Sequence, residues 1–480
     1  MYGEIGNQIR WTSQSNCCKY IDNVINFLVN VRLFHFGIDF GKDIRYTLIN
    51  RHLYIKSGDD IMPYDELKKI YYKDQTDYAK EYERRFNSED TVRLDFQIGD
   101  KTAFFVETAE VLRLALKITQ LDKKVAKLSS TLPGVAKDQY SKKCLIDEIV
   151  LSNKIEGVHS SRKEIGEALD ILERQAKNKH KHTRFLGLVN KYLKLMSENV
   201  VPLETCQDIR NIYDEVFLQE VLEEDPQNKP DGKIFRKGPE SVYNDAQKII
   251  HQGVYPEEKI IKCMDEALQF LNKSDTQELY KICIFHYLIE YIHPFYDGNG
   301  RLGRFILSYC ISKTLEPLVA YRISETIKEN KTAYYRAFSV CNDRLNLGDL
   351  TPFLIMQLQM IYAAMIVLQR SLAEKLIRWK RYGQLVDSLP NATDQNMKSL
   401  YHYLIQASLF SEEGIPTPEL MALLEVKSHT TLKKLLDMIP KEVLIIKTKN
   451  RVKFYELQLG FLDDMLLKQE MEDIEAREKQ

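Results

Sequence analysis

The sequence predicts a mainly α-helical protein, and three observations carry that expectation. From about Lys101 onward, apolar residues recur at three- and four-residue spacings, the period of one face of a helix. No internal repeat or low-complexity segment interrupts them, so a solenoid is excluded. Hydrophobic residues make up 44% and charged residues 29% of the 480 residues, which rules out a disordered or collagenous chain. That length leaves room for roughly two to four domains.

Residues 1–100 carry no legible fold. Tyr46 to Lys56 alternates apolar and polar residues, a weak strand signal, and Asp65 to Asn87 is a tyrosine-rich, charged helix candidate. A helical N-terminal domain is expected over 101–200, with helices at Val106–Leu128, Asp138–Ile155, Arg162–Ala176 and Thr183–Met196. The second of these ends at Gly157, a natural helix stop. Over 201–372 further helices fit Leu203–Leu218, Pro256–Leu271, Thr276–Tyr291, Arg301–Leu315 and Thr351–Leu372. Among them Asp225 to Ser241 is rich in Pro, Gly and Lys, with an apolar tip at Ile234-Phe235, and reads as an inserted loop or hairpin.

A basic stretch (Lys375 to Arg381) and the turn Pro390-Asn391 predict a linker over 373–392. Residues 393–458 have a different grammar: a helix at Asn396–Ala407, a short one after Thr417, a third at Ser428–Met438, then strands Val443–Lys447 and Val452–Leu457. Three helices followed by a hairpin is the order of a winged helix-turn-helix. Residues 459–480 form an acidic helical tail.

The chain carries 68 basic and 69 acidic residues, a net charge of −1, so affinity for nucleic acid or membrane requires a local patch. One exists. From Lys427 to Lys453, eight Lys/Arg face only Asp437 and Glu442, a local excess of six. Lys433 and Lys434 fall on the expected recognition helix and Lys447, Lys449 and Arg451 on the wing, which suits DNA phosphates, a docking protein or simply a solvated basic face. No window approaches eighteen apolar residues without a charge, and Met1 to Arg32 has no basic stretch leading into an apolar run. Neither a membrane span nor a secretory signal is expected. The eight cysteines contain no C-x-x-C pair and read as reduced thiols of a cytoplasmic protein.

The chemistry concentrates in His293-Pro294-Phe295-Tyr296-Asp297-Gly298-Asn299-Gly300-Arg301-Leu302-Gly303-Arg304. The helices on either side are apolar on nearly all faces and therefore buried, which holds the turn rigidly. Gly298 and Gly300 free the backbone so that several N–H groups can point inward together at a helix N-terminus, a ready anion site. Arg301 and Arg304, three apart, share one face of the new helix and can both reach that anion. Asp297 is an oxygen ligand suited to Mg²⁺, and His293 is the group there that can take a proton near neutral pH. Together they suit phosphoryl or nucleotidyl transfer from a Mg²⁺-bound nucleotide. Asp-Gly-Asn-Gly alone is an ordinary tight turn. At residue frequencies of roughly 5%, however, nine fixed positions coincide by chance about once in 10¹¹ trials.

This segment resembles the signature of Fic proteins, H-P-F-x-[D/E]-G-N-G-R-x-x-R, with every fixed position matched. The resemblance is specific over Lys281–Asn342 and extends more loosely over 101–372. It implies a Fic-type helical core that transfers AMP from ATP to a hydroxyl of a target protein, with a small β-hairpin flap. On that resemblance His293 would be the general base and Asp297 would hold Mg²⁺. Gly298, Asn299 and Gly300 would form the anion hole, Arg301 and Arg304 would bind the nucleotide phosphates, and Phe295 would anchor the core. Tyr334-Tyr335 and Asn342 fall at the spacing of the family's adenine pocket, although two tyrosines on a helix also suit core packing. Asp231–Tyr243 resembles the flap that docks the target by strand addition, with wider spacing between Phe235-Arg236 and Val242 than is usual.

Ser152-Asn153-Lys154-Ile155-Glu156-Gly157 resembles the inhibitory motif [S/T]-x-x-x-E-[G/N], placed in one subclass at the end of a helix N-terminal to the core (here about 138–157). There the glutamate pairs with the second arginine, here Arg304. An arginine so held cannot grip the ATP γ-phosphate, and an error of about 1 Å in placement can cost on the order of 100-fold in rate. Two rivals stay open: the same site acting as a phosphotransferase or a de-AMPylase, or a DNA-binding regulator whose site only senses nucleotide. A homodimer is also left open. Elsewhere, His286 reads as a core histidine, and His180 and His182 as part of a solvated cluster.

Overall fold

The computed structural model describes residues 64–173, 184–196, 201–243, 249–449 and 451–478, and helices dominate them. The expected strand at 46–56, His180, His182, Cys17 and Cys18 lie outside the described residues. The helix expected over 65–87 is two, α1 (Leu67–Lys73) and α2 (Gln75–Phe86). Asp74 breaks out of helical geometry between them, and its carboxylate caps α2 by accepting the Thr76 and Asp77 N–H groups.

Residues 101–106, expected to open a helical region, are a strand. β1 (Thr91–Ile98) and β2 (Lys101–Val106) pair antiparallel around Gly99, at φ +63°. Leu94, Phe96 and Ile98 point inward with exposed residues between them, a period-two pattern. Helix α3 (Ala109–Ser130) starts only after Thr108, whose side chain accepts the Val111 N–H.

Helix α4 (Gly134–Ile155) is buried on most of its surface. It stops where Gly157 turns left-handed at φ +78°, with Gly157 N–H on the Lys154 carbonyl and Val158 N–H on that of Asn153. Then come α5 (Arg162–Glu173), α6 (Leu186–Met196), α7 (Cys206–Val216) and α8 (Leu218–Glu224). A reciprocal Thr205–Asp208 capping box opens α7. The flap hairpin, β3 (Ser241–Tyr243) with β4 (Ile249–Gln252), starts later than the expected 231–243. Residues 231–240 form no strand. Glu257 gathers the N–H groups of Lys233, Ile234 and Phe235 onto its carboxylate, and those amides are then lost to any sheet ladder.

Helices α9 (Glu257–Lys273), α10 (Glu278–Ile292), α11 (Asn299–Thr314), α12 (Ile323–Glu329), α13 (Lys331–Cys341) and α14 (Thr351–Leu385) build the centre. As the apolar-all-round pattern implied, α10 and α11 bury Ile282, Ile284, Phe285 and Leu288, and Leu302, Phe305, Ile306 and Ile311. The linker expected over 373–392 is helix as far as Leu385. Its basic residues are good helix formers, and they have partners: Lys375 donates to the Leu409 carbonyl, and Arg378 and Arg381 pair with Asp463 and Glu470. Contrary to the expectation that no apolar window nears eighteen residues without a charge, the helix over Thr351–Ser388 is long and apolar enough to cross a membrane. Phe353, Leu354, Leu358, Ile361 and Leu368 are nevertheless fully buried in protein, as in a core helix.

Beyond it lie α15 (Gln395–Phe410), β5 (Ile415–Pro416), α16 (Thr417–Leu423), α17 (His429–Asp437), β6 (Leu444–Lys449), β7 (Val452–Leu457) and α18 (Leu459–Glu478). This is the expected helix–helix–helix–hairpin order, with β5 added so that the sheet runs β5-β7-β6. Cys144, Cys206, Cys263, Cys283, Cys310 and Cys341 are free thiols.

Candidate active site

The turn between α10 and α11 is built by side chains that tie its backbone. Phe295 is fully buried, stacked on Tyr213 with centroids 3.6 Å apart and edge-on to Phe235. Asn299 folds back onto it: Oδ1 accepts the Phe295 N–H at 2.9 Å, and Nδ2 donates to the Phe295 carbonyl at 2.8 Å. The Asn299 side chain is thus spent on the turn, and its contribution to an anion hole is its backbone N–H. Gly298 sits at φ +79°, where a Cβ would also press on the Tyr213 ring at 3.3 Å. Leu302 N–H is the first to bond back, to the Gly298 carbonyl. The N–H groups of Asn299, Gly300 and Arg301, the first turn of α11, have no carbonyl one turn earlier to receive them.

The two arginines are both 1% exposed and both face carboxylates. Arg301 Nη1 lies 3.3 Å from Glu220 Oε2 and Nη2 lies 3.8 Å from Asp297 Oδ2. Its Nε and Nη2 have no hydrogen-bond partner among the described residues. Burial pushes the Glu220 carboxyl up to about 7 against the pull of Arg301. Arg304 is held from α4. Nη1 donates to Glu156 Oε1 at 2.6 Å, Nε to Ser152 Oγ at 3.1 Å, and Nη2 to the Ser152 carbonyl at 3.0 Å. Glu156 also covers the turn, since a Cβ on Gly300 would lie 2.4 Å from its Oε1. Ser152 and Glu156 therefore come to Arg304 from 152 and 148 residues away in the chain, while Gly157 only ends α4 behind them.

His293 ends α10 in the left-handed region, at φ 53° and ψ 62°. Burial, then His251 and Arg236, push its imidazole down to about 3, below the near-neutral value expected of it; it is neutral at physiological pH, the form a general base needs, but a weaker base than that expectation. Asp297 is 42% exposed at the side chain; its carbonyl accepts the Tyr213 hydroxyl and its Oδ1 the Gly298 N–H. Among the described residues no group of three or more His, Cys, Asp or Glu could cage a metal. One open carboxylate beside an anion turn does fit Mg²⁺, which is commonly held by one or two carboxylates plus substrate phosphates.

Of the expected adenine-pocket residues, Tyr334 and Tyr335 lie near enough to Arg304 to act on its charge. Tyr334 is 2% exposed, with its hydroxyl 2.8 Å from Nε2 of His286, and it packs in the core against Phe338. Burial, aided by Arg304, pushes His286 down to about 3, as suits a neutral core histidine. Tyr335 is half-buried, edge-on to Tyr334. Asn342 accepts the Tyr287 hydroxyl and lies 3.3 Å from Nδ1 of His251 on β4. Sequence reading missed Tyr213, Glu220, His251 and Glu290, and gave Arg236 only a place in the flap. Each reaches the turn from a separate element, and no spacing announces it.

Residues 204–311 match the family model described as Fic/DOC family. Protein adenylyltransferase fic-1 of Caenorhabditis briggsae is 31% identical over 99 residues, 20% of this chain and 18% of that protein. Protein adenylyltransferase Fic of Nematostella vectensis is 29% identical over 116 residues, 23% and 25% of the two chains. The chain thus spans a quarter or less of the length of these relatives. Among solved structures, a Fic family protein from Desulfovibrio desulfuricans G20 aligns over 73% of this chain and 96% of its own, at 20% identity and TM-score 0.44. Fic-1 (aa134 - 508) from C. elegans aligns over 55% and 74%, at 19% identity and TM-score 0.37. Residues 204–311, with the His293–Arg304 turn inside them, are a Fic/DOC family domain.

Proposed function

We propose that this chain transfers AMP from ATP to a hydroxyl side chain of a target protein and that Glu156 holds it inhibited. One observation carries the reading: an open turn of three backbone N–H groups, with a neutral histidine at its lip, lies under the carboxylate of Glu156.

The triphosphate would lie on the Asn299, Gly300 and Arg301 N–H groups, with Arg301 and Arg304 facing its charge. His293 takes the target's hydroxyl proton as that oxygen bonds to the α-phosphorus. The bond from the α-phosphorus to the bridging oxygen breaks, and pyrophosphate leaves. Mg²⁺, held by Asp297, would neutralise phosphate charge. While Glu156 occupies Arg304 and the space over Gly300, the γ-phosphate lacks its arginine and the α-phosphorus is misplaced for attack. A target segment would add as a strand to the β3–β4 flap, and the 427–453 face would serve a separate DNA or protein partner.

The test is incubation of the Glu156→Gly variant with ATP labelled on the α- or γ-phosphate. AMP transfer leaves α-label on protein and none from the γ-position, and His293→Ala removes it while nucleotide still binds. Protein-bound γ-label would make the site a phosphotransferase, and loss of pre-formed AMP from a target would make it a de-AMPylase.

A further inference from the structure

Behind the candidate base lies a buried cation that no described acid ion-pairs, although Glu240 favours its charge from farther off. Arg236 is fully buried, and among the described residues no carboxylate stands within ion-pair distance of it. Its guanidinium donates instead to three carbonyls on three segments: Nη1 to Gly238, Nη2 to Val254 at 2.9 Å, and Nε to His293 at 2.9 Å. Its own N–H reaches the Pro294 carbonyl at 3.3 Å. Taking a charge out of water is costly unless its donors are filled, and the planar fork of arginine is the side chain that can fill three fixed acceptors at once.

Two further observations place this strut against His293. A Cβ at Gly253 would lie 2.4 Å from Arg236 Nη2 and 2.9 Å from the His293 Cβ, so only glycine leaves room for the approach. His293 is a non-glycine residue at φ 53°, a strained conformation that persists where its surroundings over-determine it. Three bonds do so: His293 N–H to the Ile289 carbonyl, Val254 N–H to that of Ile292, and Arg236 Nε to that of His293.

We infer that Arg236 is a positioning residue for His293: its fork locks the left-handed turn and couples it to the 231–240 loop and the exit of the flap. It touches no reacting atom. The groups facing the imidazole are Arg236 from the loop and His251 from β4, which oppose its protonation, and the Glu290 carbonyl on its own helix, which favours it.

This inference rests on the AMP-transfer reading, so its test runs in the Glu156→Gly background with His293→Ala as control. If the background transfers no α-label, or His293→Ala leaves transfer intact, that reading fails. An NMR titration of His293 still tests this one. With the control in order, Arg236→Met should lower kcat on the order of 100-fold, the scale of a misplaced catalytic group, with the KM for ATP unchanged. The acid limb of its rate profile, and the NMR titration of His293, should move up, but only part of the way, because burial and His251 still oppose protonation. Arg236→Lys keeps the charge and loses the fork, so kcat should fall while the acid limb stays. Parental kcat in Arg236→Met, or a change confined to KM, overturns the inference. If Arg236→Met does not fold by circular dichroism, folded Arg236→Lys at parental kcat overturns it instead.

Discussion

Replacing Glu156 with glycine tests the brake at one atom pair. Arg304 is 1% exposed and its Nη1 lies 2.6 Å from Glu156 Oε1. A hydrogen bond to a charged group is worth about 1.5–3 kcal/mol, and every 1.4 kcal/mol is tenfold. Its loss should therefore shift the balance toward the open turn by roughly 10- to 150-fold. Arg304 should stay aimed, because its two bonds to Ser152 survive the change. Glu156 is the C-cap of α4, a position glycine tolerates, so the fold should be little affected. The assay is the initial rate of α-label incorporation into the enzyme itself and into lysate proteins, at saturating ATP and Mg²⁺. Glu156→Gln, which keeps bulk over Gly300 and drops the charge, should be activated less. Equal rates for the parent and the glycine variant would refute the reasoning.

Two other expectations follow from the same geometry. Asn299→Ala removes both bonds to Phe295 and leaves that buried N–H unpaired, a cost of about 1–3 kcal/mol; a lowered melting temperature with loss of transfer is expected, and an unchanged melt would contradict it. Glu290 is pushed up to about 8 by burial, against the pull of Arg304, and its Oε1 lacks a hydrogen-bond partner among the described residues. The folded state then binds that proton more tightly than the unfolded chain does, so this stability is present below about pH 4.5 and is lost as pH rises toward 8. Glu290→Gln should flatten denaturant-measured stability between pH 5 and 8, and parallel curves for the two proteins would refute the assignment.

The turn from His293 to Arg304 was legible because its parts are contiguous and its glycines, arginines and acid each have a local reason to be there. The segment proposed as inhibitory was legible only through resemblance, since Ser152 and Glu156 meet Arg304 across 152 and 148 residues of chain. The partners of the turn share that difficulty. Glu220 looks like one more acid on α8, and Arg236 like one more cation in a polar loop. Nothing along the chain says that either is buried. The β1–β2 hairpin escaped because its inward residues, Leu94, Phe96 and Ile98, span few alternations. The supposed linker at 373–392 misled for the opposite reason. Basic residues looked like a break, yet along α14 they sit on a helix whose partners, Asp463 and Glu470, lie far down the chain.

The most direct trial of the central claim is a crystal structure of the Glu156→Gly chain with Mg²⁺ and a non-hydrolysable ATP analogue. The account predicts phosphate oxygens on the N–H groups of Gly300 and Arg301, the metal on Asp297, and the α-phosphorus open to a nucleophile beside His293. A turn that stays empty with Arg304 unoccupied, or a nucleotide bound elsewhere, would contradict it.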